Sequence, residues 1–183
     1  MKMLAHRIQV STNQPVNFLD AKAHCRIDFD SDDPSLQMMI NAAAREIEDF
    51  AQVALLTQTI RVIIFRPRPG AYGVSLPVGP VLDDVTPTVT IDGTAFTGFD
   101  FDAGDRPFVR WLAPYHDLIP ERMVIEYQAG FGDDYSAIPA DLYQAILDQT
   151  AMLYEQRAAT DLKTASMSPH MGRIGAKYRG VKM

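Results

Sequence analysis

Ala54-Leu55-Leu56-Thr57-Gln58-Thr59-Ile60-Arg61-Val62-Ile63-Ile64-Phe65 is the point at which the chain changes its period. Upstream, Leu36, Ile40, Ala43, Ile47, Phe50 and Ala54 recur every three or four residues, with Gln37, Asn41, Arg45, Glu48 and Gln52 opposite them. That spacing predicts an amphipathic helix over Pro34–Val53 with one buried face. From Thr59 to Phe65 the residues are mostly β-branched and the run is too short for a helix, so a strand is expected. Arg66-Pro67-Arg68-Pro69-Gly70 ends it.

Working outward, further strands are expected at Val74–Leu76, Val85–Ile91, Gly98–Phe101, Phe108–Leu112 and Arg122–Gln128. Asp92-Gly93 after Ile91 is a strong hairpin signal. Gly130, Gly132 and Asp133 break the last strand, and a second long helix follows Pro139 with Leu142, Ala145, Ile146, Gln149, Leu153 and Gln156 along one stripe. Toward the N-terminus, Asn17 or Asp20 can cap a short helix ending near Arg26. Asp28-Phe29-Asp30-Ser31-Asp32-Asp33-Pro34 separates it from the long one, with Ser31 or Asp32 as N-cap and carboxylates favoured by the helix dipole. Residues 1–16 read as an extended arm leading to a turn. The expectation is an α+β fold: a helical core of two long helices and a short N-terminal one, with an inserted small antiparallel β region. Residues 1–162 form one domain, with helices over about 17–54 and 138–160 and the β region over about 57–129. Residues 163–183 form a basic tail.

With 183 residues and 47% hydrophobic content the chain can bury a core. No apolar run approaches the roughly 20 residues of a membrane span, and no signal peptide is expected after Met1-Lys2-Met3. One cysteine, Cys25, precludes an internal disulfide, which suits assembly in a cytoplasm. The net charge of −6 is uneven. All 23 acidic residues lie at or before Asp161, whereas Lys163, Arg173, Lys177, Arg179 and Lys182 follow it with no acid among them.

Chemistry-bearing motifs are scarce. Asp28, Asp30 and Asp32 alternate as at the start of a calcium loop, but Asp33 and Met39 stand where that loop needs Gly and a bidentate Glu. Helix capping accounts for them. His6, His24, His116 and His170 share no metal-binding helical spacing. Cys25 beside His24 points elsewhere on a helix and reads as a small buried side chain. There is no nucleophile elbow or P-loop, and Gly130-Phe131-Gly132 is too short to cradle a dinucleotide. Neither an enzyme nor a cofactor or metal is expected. A small hydrolase using Asp133 and Asp134 as an acid–base pair is the remaining catalytic alternative.

Two separated blocks carry a resemblance. Phe18-Leu19-Asp20-Ala21-Lys22-Ala23-His24-Cys25-Arg26-Ile27-Asp28 and the following helix form the first; Tyr127-Gln128-Ala129-Gly130-Phe131-Gly132-Asp133-Asp134, Ile138-Pro139-Ala140-Asp141-Leu142 and Tyr154-Glu155-Gln156-Arg157 form the second. In this order, over roughly Asn17 to Arg157, the chain resembles the head–tail connector (adaptor) proteins of tailed phages and of gene transfer agents derived from them.

The resemblance implies a non-enzymatic ring, commonly a dodecamer, assembled in the bacterial cytoplasm and placed in the neck of a virion or virus-like particle. The ring sits below the portal, extends the DNA channel without sequence-specific DNA binding, and docks a stopper or tail-completion protein; no membrane is involved. It further implies that the C-terminal segment grips the portal protein. Here Met167–Met183 would do so, with Arg173, Lys177, Arg179 and Lys182 as ionic anchors and Ile174, Tyr178 and Val181 as apolar contacts. The chain departs from the pattern in its N-terminal arm of about sixteen residues. The alternative is a DNA-packaging or DNA-binding accessory protein, in which the basic tail with Tyr178 contacts phosphates and bases.

Overall fold

A computed structural model describes residues 2–157 and 167–179. The chain divides into two compact units. One joins the segment up to Ser11 with Thr57–Phe131; the other joins Thr12–Leu56 with Gly132 onward. The α+β expectation holds: both antiparallel sheets lie in the first unit, and the helices other than the one-turn segment Ala113–His116 lie in the second.

The first unit is built on β2 (Gln58–Phe65) and β8 (Arg122–Ala129). They pair antiparallel over their whole lengths, placing Ile60 opposite Tyr127, Val62 opposite Ile125 and Ile64 opposite Met123. All six are buried, so this register puts every alternate side chain on one apolar face. β4 (Thr88–Ile91) adds Val89 and Ile91 from the other side of β8, and β5 (Thr94–Phe96) closes the hairpin. Asp92 and Gly93 turn it with φ of 49° and 85°, the pair of positive values that a tight two-residue hairpin requires.

The expected N-terminal arm is an edge strand. β1 (Lys2–Gln9) pairs antiparallel with β2, giving the order β1-β2-β8-β4-β5. Its hydrophobicity alternates weakly and most of its side chains are exposed, so only pairing reveals it. A second sheet, order β3-β7-β6, contains β3 (Gly73–Ser75), β6 (Phe99–Asp102) and β7 (Phe108–Trp111). Trp111 stacks on Tyr115 of the one-turn helix α3 (Ala113–His116), with centroids 4.8 Å apart. Tyr127, 2% exposed, donates to the Val78 carbonyl at 3.0 Å and accepts from the Val78 amide at 3.3 Å.

The second unit is helical. α1 (Phe18–His24) is capped by Asn17, whose side chain accepts from the Leu19 amide. α2 (Asp33–Ala51) buries Leu36, Ile40, Ala43, Ala44, Ile47 and Ala51. It ends at Gln52 in the left-handed region, while buried Glu48 accepts from the Leu55 amide at 2.9 Å. A 3-10 turn (Tyr135–Ala137) leads into α4 (Ala140–Gln156), which presents Leu142, Ala145 and Ile146. Tyr143 of α4 donates to Asp20 at 2.7 Å and accepts from the Asn17 amide at 3.0 Å. Burial and then the Asp20 bond push its phenol up to about 12.

Asp32 occupies the N-cap position of α2, but its side chain does not cap the helix. It accepts from Tyr154, and the Arg157 guanidinium sits on the same oxygen. Tertiary partners win over the local role that the sequence suggested, and these two bonds hold the Asp32 carboxyl below its ordinary range. Asp30 and Asp33 both take Lys22, each at 2.7 Å. Through Lys22, Asp30 and Asp33 tie α1 to the start of α2.

Candidate docking helix

Residues Pro169–Tyr178, where the sequence showed no helix signal strong enough to commit to, form α5 in the second unit. Local chemistry explains its start. Ser168 is the N-cap, its Oγ accepting from the Met171 amide at 3.1 Å, and Pro169 suits the first turn. The Ser168 amide donates to Gln149 Oε1 at 2.7 Å, while Gln149 Nε2 donates to Glu46 at 2.8 Å. Gln149 is 1% exposed, so one buried amide side chain ties the cap of α5 to α4 and α2.

Two apolar side chains anchor the helix: Met171 is fully buried and Ile174 is 4% exposed. Gly175 lets α5 approach α2 closely, since a Cβ there would lie 2.4 Å from the Phe50 ring. Arg179 lies over that same ring at 5.6 Å. At the far end, Asp141 accepts from Lys177 at 2.7 Å and from Tyr178 at 2.8 Å. Burial works to raise the Asp141 carboxyl, but Lys177, Tyr178 and the Leu142 amide outweigh it and hold it below the usual range.

Asp148 of α4 binds a histidine on each oxygen: His170 Nδ1 at 2.5 Å and His24 Nε2 at 3.0 Å. Burial again opposes its ionisation, and the bonds from His170 and Gln144 with the nearby imidazoles prevail, keeping it low. The two histidines come from opposite ends of the sequence, so no spacing rule could have paired them. Among the described residues no group of His, Cys, Asp and Glu could hold a metal ion. Cys25 and His24 line a shallow 340 Å³ cavity with Arg26, Ala151, Tyr154 and Glu155. Burial and then the Glu155 charge push the Cys25 thiol up, away from a reactive thiolate. Asp134 caps the 3-10 turn through the Ser136 amide at 2.9 Å, and the Asp133 carbonyl accepts from Asn13 at 2.8 Å.

The seven residues singled out as portal contacts thus fall into three groups. Arg173 and Lys177 on α5 and Arg179 just past its end are exposed, although Lys177 is engaged by Asp141 and Arg179 lies over Phe50. Ile174 and Tyr178 turn toward the chain's own helices: Ile174 is buried and Tyr178 is half-buried. Val181 and Lys182 lie outside the described residues.

Residues 18–80, taking in α1, α2, β2 and β3, match the family model for phage gp6-like head-tail connector proteins. The chain resembles a head–tail connector. A likeness to solved structures extends over nearly its whole length. A chain of the virion of a native gene transfer agent particle matches with a TM-score of 0.80 and 25% identity, over 98% of this chain and 97% of that one. Chains from the neck of an empty gene transfer agent particle, computed with C6 symmetry, and of a native one, computed with C12 symmetry, share the fold at TM-scores of 0.79 and 0.77. Their identities are 24% and 23%, again with coverage of 98% and 97%. Among curated proteins none matches the sequence. These matches are to components of a particle neck, not to an enzyme class, and they support a structural connector role. No helix among the described residues is long and apolar enough to cross a membrane.

Proposed function

We propose that the chain is a structural subunit of a particle neck: one copy in a ring, a dodecamer, that lies below the portal, extends the DNA channel and docks the stopper or tail. The observation that carries this reading is the full-length likeness to a virion chain of a gene transfer agent, joined to the connector family match over residues 18–80. Distinct surfaces on one chain, meeting head to tail, close into a ring when the rotation permits. DNA passes through the lumen without sequence-specific contact, where carboxylates on an acidic body repel phosphate.

The portal contact in this reading is the outward face of α5, with Arg173 and Arg179 as its exposed cations and the chain continuing through Val181 and Lys182. Truncation before α5 is a poor test, because it also removes buried Met171 and Ile174. A better one is capture of the full chain by the portal protein of the same particle, nuclease-treated, at low and high salt, beside Arg173→Glu/Arg179→Glu. Salt-resistant binding by the natural chain that the double variant loses supports the reading. Absence of portal binding, with salt-sensitive retention of DNA instead, replaces it with the DNA-packaging accessory role.

A further inference from the structure

We draw no further inference here: the strongest candidate, the face of the five-stranded sheet opposite its buried one, where strand pairing sets Leu4, Ile63 and Val124 side by side, carries none because nothing in the structure shows what covers it.

Discussion

Ile174→Ala is the most direct probe of how α5 is held. The helix has two buried apolar anchors, Met171 and Ile174, and Ile174 is 4% exposed. The substitution removes three carbons, about 2.4 kcal/mol at roughly 0.8 kcal/mol per buried methylene. The cavity left behind can carry the loss toward about 5 kcal/mol. At about 1.36 kcal/mol per tenfold, the lower figure raises the undocked population of α5 about 50-fold. Amide hydrogen exchange followed on residues 169–179 reads that population when reclosing is fast. Gly172 and Arg179 are useful reporters, because their amides donate to the Ser168 and Gly175 carbonyls at 2.9 Å each. Ala176→Ser, at an exposed position of the same helix, is the control and should change exchange by no more than about threefold. Exchange in Ile174→Ala that moves no further than the control refutes the claim that burial of Ile174 holds the helix.

Three further outcomes follow from particular contacts. Tyr127→Phe leaves the Val78 amide and carbonyl without the hydroxyl that serves both, costing about 1–3 kcal/mol, and the thermal unfolding midpoint of the β unit should drop by several degrees. The Asp141 and Asp148 carboxyls are depressed in the folded chain, so their contribution is fully present above the unfolded value near 3.9 and is lost as pH falls below it through the folded values. Protection of residues 169–179, measured against the intrinsic exchange rate at each pH, should therefore fall only below about pH 4, and Asp148→Asn should flatten that acid limb; an unaltered limb refutes the assignment. Cys25, its thiol raised by burial and Glu155, should react with iodoacetamide at pH 8 more slowly than a free cysteine in a peptide, as mass spectrometry would show.

What was legible in the amino-acid sequence was whatever short-range physics specifies. The apolar stripe from Leu36 to Ala51 and the one from Leu142 to Gln149 repeat at the helical period, and α2 and α4 follow them. The β-branched run ending at Phe65 and the Asp92-Gly93 turn became β2 and the β4–β5 hairpin for equally local reasons. The connector resemblance drew on these same signals, because it is a pattern of helix starts and turns.

The rest depended on residues far apart in the chain. β1 exists because β2 offers it a hydrogen-bonding edge, and nothing within Lys2–Gln9 alternates strongly enough to announce a strand. α5 contains Gly172 and Gly175, which weaken an isolated helix, yet Gly175 is what admits the Phe50 ring. Asp32, expected at a helix cap, is drawn to Tyr154 and Arg157, and Asp148 gathers His24 and His170. Periodicity and turn chemistry are properties of a few neighbouring residues and survive in any reading of the sequence. Which carboxylate meets which cation, and which face of the tail turns inward, are set only when packing brings distant segments together, so the tertiary structure alone decided them.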